Sequence, residues 1–178
     1  MAITFNSMKW MFGTLALGLG IALPQGAYAG HTNLILTTDL DGSAEVAGDG
    51  DMSQAAGDVT GTGQAYVFGV DGDETTLCYV LEVAGIQQVP VGSGMAAHIH
   101  EGAAGENGPV VAALAGPEDG NAGDCLTEGE EGKFPTGEAG IVQRILSNPA
   151  DFYINVHNPQ FPDGAIRGQL YSNQGHSH

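Results

Sequence analysis

The feature that most constrains this chain is an alternation of apolar and polar residues with a period of two. Over residues 75–84, Leu77, Tyr79, Leu81 and Val83 occupy every second position. That spacing places them on one face of an extended strand and leaves the other face polar. Residues 64–70 show the same pattern, and Asp71-Gly72 between the two segments has hairpin-turn chemistry. Strands are also predicted over 32–40, 95–101, 152–157 and 165–171, the last two joined by a turn containing Pro162-Asp163-Gly164. Only 140–147 has helical spacing, for two turns at most. Many short strands punctuated by Gly and Pro predict an all-β fold, an antiparallel sandwich or Greek-key barrel with long Gly/Asp-rich loops. With aromatic residues at 7%, its core must rest on Val, Leu, Ile and Ala.

The first 29 residues read differently. Lys9 precedes an apolar run over 11–23, Pro24 ends the run, and Ala27-Tyr28-Ala29 has the small-x-small pattern of a signal-peptidase site. The run is too short for comfortable membrane crossing, which takes about 20 apolar residues. The expectation is a signal peptide over 1–29 and a secreted or periplasmic domain over 30–178, with no stable membrane insertion after cleavage. Its core spans about 33–171, followed by a disordered tail over 172–178.

Beyond the leader, Lys133, Arg144 and Arg167 face 21 Asp and Glu, a formal charge of −18. Nucleic acid and anionic membrane surfaces are bound through Lys and Arg, so both are excluded as expected partners. Two loops carry much of the acidity, 41–58 and 116–132. Carboxylates suit calcium, but neither loop has EF-hand spacing, and solvated charge is the simpler reading. An exported chain with two cysteines predicts a Cys78–Cys125 disulfide, tying the acidic loop around Cys125 to the strand that holds Cys78.

The chemistry lies in the histidines. His98 and His100 form a His-x-His pair on a predicted strand, so both imidazoles project from one face while Ala97 and Ile99 face the core. On a second strand Phe152, Ile154 and Val156 form the apolar face, with Tyr153, Asn155 and His157 opposite. If the two strands are neighbours, His98, His100 and His157 converge. Three imidazoles form a ligand set for copper or zinc, which calcium and magnesium would not choose. Glu101 and Asn155 are candidates for orienting a ring. His31, His176 and His178 lie near the ends of the mature chain and are read as bystanders.

The same segments resemble a known family. His98-Ile99-His100-Glu101-Gly102, followed by Gly105-Glu106-Asn107-Gly108-Pro109-Val110-Val111, is similar to the central signature of the CHRD (chordin) domain. So are Tyr153-Ile154-Asn155-Val156-His157-Asn158 and Pro162-Asp163-Gly164-Ala165-Ile166-Arg167-Gly168-Gln169-Leu170 to its C-terminal signature, and 40–46 to its opening strand. The chain departs from the family pattern at Ala47, where Pro is common, and at Ala165, where Glu is usual. The resemblance implies an immunoglobulin-like or Cu/Zn superoxide-dismutase-like sandwich and no particular reaction. Arg167, within the last motif, is expected to hydrogen-bond a neighbouring loop or pair with a carboxylate.

Three functions follow as expectations. The first is an exported module holding copper or zinc through the His cluster. The second is a metal-independent extracellular interaction domain that presents 103–109 to a protein partner. The third is a copper-dependent redox enzyme, weakened by the absence of the long His- and Asp-bearing loop of a two-metal site and by the scarcity of cations to steer an anionic substrate. No Gly-x-Ser-x-Gly, His-Glu-x-x-His or P-loop motif is present, so hydrolase chemistry is not expected. A binding module is favoured over an enzyme.

Overall fold

A computed structural model of the protein describes residues 35–47 and 56–172. The proposed leader, His31, His176 and His178, and much of the 41–58 loop lie outside the described residues. The architecture is all-β and antiparallel. The described residues form nine strands, β1 (Ile35–Asp41), β2 (Thr62–Val70), β3 (Asp73–Ala84), β4 (Ala96–Glu101), β5 (Val110–Leu114), β6 (Asn121–Thr127), β7 (Phe152–Asn158), β8 (Phe161–Gln169) and β9 (Tyr171–Ser172). They form one sheet in the order β5-β4-β7-β8-β1-β2-β3-β6, with β9 on β1. The sheet curls into a nearly closed barrel. Its two ends approach each other, and the Ala115 amide, just after β5, donates to the hydroxyl of Tyr79 on β3, the neighbour of end strand β6, at 2.6 Å.

Alternation decides which face closes on the core. Leu77, Tyr79, Leu81 and Val83 of β3 point inward with Ala65 and Val67 of β2, Ala97 and Ile99 of β4, and Phe152, Ile154 and Val156 of β7, all buried. Among the described residues there is one α-helix, α1 (Ile141–Ser147), which turns Ile141, Val142, Ile145 and Leu146 inward. It plugs the barrel end marked by Gly69, Glu101 and Phe152. Among the described residues, no helix is long and apolar enough to cross a membrane.

Two sequence expectations need correcting. Residues 116–132 are not one loop, because 121–127 form β6, paired with β3 in a register that sets Cys125 opposite Cys78. The disulfide between them therefore joins two neighbouring strands rather than fastening a loop. The strand was hidden because Asn121, Gly123 and Asp124 have poor β propensity, and pairing with β3 overrides it. Likewise Pro162-Asp163-Gly164 is not the β7–β8 turn. The Asn158 side chain accepts from the amides of Gln160 and Phe161 and reverses the chain earlier, so 162–164 become an irregular start of β8.

Candidate metal centre

The outward face of β4, β7 and β8 is not a solvent face. β7 lies between the other two strands, with His98 opposite Asn155 and His100 opposite Tyr153 on one side and Arg167 opposite Asn155 on the other. Position 157 follows two residues beyond 155, which brings its ring toward the β4 pair. Ring centroids stand 5.1 Å apart for His98–His157, 5.6 Å for His98–His100 and 6.1 Å for His100–His157. One ring nitrogen from each lies within 4.8 Å of the other two. Even at that limit, a point about 2.8 Å from all three exists, against about 2.0–2.1 Å for a zinc–imidazole bond. A bound ion would need to draw each ring inward by less than about 1 Å.

Two of the rings have fixed tautomers. His100 Nδ1 meets the Gly108 carbonyl at 2.9 Å, and His157 Nδ1 meets the Pro162 carbonyl at 3.0 Å. A carbonyl only accepts, so each Nδ1 carries its proton and each Nε2 of the neutral ring keeps a lone pair. Those Nε2 atoms and His98 Nδ1 are buried without a hydrogen-bond partner. Both carbonyls belong to chain that has left regular pairing, the 102–109 loop and the irregular start of β8. Breaks in a ladder free backbone groups to orient side chains in this way.

The electrostatics keep the imidazoles neutral. Burial, then the neighbouring His157 and His100 rings, holds His98 down at about 4. Burial also lowers His100, against the support of its bond to Gly108, and lowers His157, against its bond to Pro162 and the charge of Asp163. At neutral pH all three are therefore ready to donate lone pairs. The rings line a solvent-open, largely apolar depression of about 350 Å³, whose walls include Ser93, Ala96, Val110, Asn158, Pro159 and Pro162.

Arg167 reaches into the 103–107 loop. It is 2% exposed, and its guanidinium donates to the Glu106 carbonyl at 2.6 Å and to the Ala103 carbonyl and Asn107 Oδ1, each at 3.2 Å. It also stacks 3.4 Å from the centre of the Tyr153 ring. Tyr153 in turn stacks on His100 at 4.9 Å, and its hydroxyl accepts from the Gly108 amide at 3.1 Å. Arg167 thus holds the loop whose carbonyl fixes His100. Gly108 permits the fit, since a Cβ there would overlap the Glu101 carbonyl.

Asn155 sits beside the cluster and donates to the Glu45 carboxylate at 3.3 Å. Glu101 does not orient a ring. Being next to His100 in a strand, it faces the other way and forms a two-pronged pair with Arg144 at 2.8 and 2.9 Å. Sequence reasoning missed Glu45, which is 4% exposed. Burial raises its carboxyl to about 7, against the pull of Arg167 and the Asn155 bond. It also missed the role of Tyr153, although the period of two had put that residue on the same face as His157.

A family model described as the CHRD domain matches residues 36–170. Comparison with curated proteins and with solved structures found no significant match. With the match extending over most of its length, and with both histidine-bearing strands inside it, the chain belongs to the CHRD domain family.

Proposed function

We propose that this CHRD domain is an exported module that holds one transition-metal ion, copper or zinc, through His98, His100 and His157. The observation that carries the reading is that three imidazoles each bring a ring nitrogen within 4.8 Å of the other two, while each keeps one buried nitrogen unpartnered and two have their tautomers fixed by backbone carbonyls. Buried polar atoms without partners are uncommon in folded proteins, and a site that needs an ion is one reason for them. Hydrogen bonding of the opposite ring nitrogen is the usual support of a ligating histidine. The set contains three neutral nitrogens and leaves a further position toward the cavity, which suits zinc or copper and not calcium. The chain's own contribution is to hold three rings neutral, oriented and sheltered. Export agrees with the Cys78–Cys125 disulfide and with the leader-like pattern of 1–29.

Titration of the mature chain with zinc and with copper, followed by elemental analysis, tests the reading. One ion per chain is expected, with binding lost in His98→Ala/His100→Ala. Absent binding, or binding that survives the double substitution, would leave the metal-independent interaction domain as the better account.

A further inference from the structure

The charge and shape of the His cluster bear on which ion it takes. Among the described residues, the group that comes within ligand reach contains no carboxylate and no thiolate, so the three donors cancel none of an ion's charge. Two charged groups act on the rings from nearby, Asp163 on His157 and Arg167 on His100, and they oppose each other. The cavity above the rings brings no anion either. Its walls are Ala96, Val110, Pro159 and Pro162, with Ser93 and Asn158 as neutral polar members. Asn158 is already committed, donating to the Gln87 carbonyl and accepting from the amides of Gln160 and Phe161.

Dehydrating an ion costs in proportion to the square of its charge, and in low-dielectric surroundings that cost is large unless opposite charge offsets it. The unpartnered ring nitrogens are buried, so a doubly charged ion held there suffers about four times the penalty of a singly charged one, with no anionic side chain to recover it. Geometry adds a second bias. Copper(II) prefers a tetragonal set of four or more donors, whereas the protein offers three nitrogens projecting from one sheet face. Copper(I) has a filled d shell and accepts three nitrogens without a fourth.

We propose that the cluster is a copper(I) site, binding Cu(I) in preference to Cu(II) between the three imidazoles with the apolar cavity over its open side. The inference rests on the metal-binding reading and adds the ion and its oxidation state. The expected preference is at least a hundredfold in Kd. For a one-electron couple that raises the bound-copper potential by about 120 mV over free copper, at 59 mV per tenfold.

The test compares two competition titrations of the mature chain. One is anaerobic, with Cu(I) against a chromophoric Cu(I) chelator, and the other uses Cu(II) against an amine chelator. Val110→Asp, which adds a carboxylate to the cavity wall, is measured alongside. A hundredfold or greater preference for Cu(I) that shrinks at least tenfold in Val110→Asp supports the proposal. Equal affinities, or tighter Cu(II), overturn it while leaving the metal reading intact. The proposal also fails if zinc binds in a histidine-dependent manner but copper does not. If neither metal binds, the metal reading fails with it.

Discussion

Replacing Arg167 with Met should weaken the proposed metal site without touching any of its three candidate ligands. The guanidinium makes three hydrogen bonds to the 103–107 segment and covers the Tyr153 ring. Charge-assisted bonds contribute about 1.5–3 kcal/mol each and a desolvated cation–π contact about 2 kcal/mol. These do not add, and breaking a buried charged cluster typically costs about 3–5 kcal/mol. That cost is smallest below pH 7. Burial keeps the Glu45 carboxyl near 7, and losing the guanidinium moves it higher, so at pH 6 no buried anion is stranded.

The effect on metal travels through Gly108. With the loop released, the carbonyl that fixes the His100 tautomer is no longer held, and loss of such outer partners weakens metal affinity about 10–100-fold. Zinc competition with a chromophoric chelator at pH 6, with thermal melts of the apo chain, gives both numbers. Asn107→Ala removes one of the three Arg167–loop bonds, together with the long bonds from Asn107 to the Val46 and Ala47 carbonyls, and guards against a variant that does not fold. It should lower zinc affinity by a few-fold. A folded Arg167→Met chain that binds zinc within twofold of the parent would refute the support of His100 by Arg167 through the 103–108 loop.

Other expectations are simpler to check. In the apo chain the cluster and Glu45 pull stability in opposite directions with pH. The three His have folded pKa values below the unfolded value of 6.5, with His98 at about 4. The unfolded chain therefore binds more protons in acid, and their contribution, present above pH 6.5, is lost as pH falls toward 4. For His98 it is about 3 kcal/mol, discounted to about 1.5 for partial exposure. Glu45 has its folded pKa raised from 4.5 to about 7, so its contribution is present below pH 4.5 and is lost as pH rises through 7, up to about 3 kcal/mol. Melts of Glu45→Gln relative to the parent should thus improve between pH 5 and 8, and a constant difference would count against the buried carboxyl. Cys78→Ala/Cys125→Ala should lose about 3–4 kcal/mol, seen as a Tm fall of roughly 10 °C, with zinc affinity unchanged because the bridge joins β3 to β6, away from the His cluster. Gly108→Ala should lose about 1–3 kcal/mol and weaken zinc binding together, whereas a loss of stability alone would separate the loop from the site.

Much of the barrel was legible because alternation is a strong signal where one face is buried. β2, β3, β4 and β7 and the short helix all fall where the pattern put them, and the convergence of His98, His100 and His157 follows once β4 and β7 are neighbours. That adjacency itself was not legible, since 50 or more residues separate the strands and no local pattern specifies which pair. Glu101 was misassigned although the period of two already placed it on the Ala97 and Ile99 side. The Glu45–Asn155–Arg167 group was out of reach for another reason. Its members are 110 and 12 residues apart, and a carboxylate at 45 looked like one more acid among 21.

A sheet that curls until its ends nearly meet also settles what happens at its margins. β5 and β6 are the two ends of the strand order, and open margins of a sheet are templates onto which another chain can add. Here β5 is only five residues long, and the Ala115–Tyr79 contact turns the ends toward each other. β6 carries the exposed Asp124, and its cystine to β3 keeps it from peeling away. The seam is thus guarded by brevity at one end and by a covalent bond and a charge at the other, which leaves little backbone on offer for strand addition between copies.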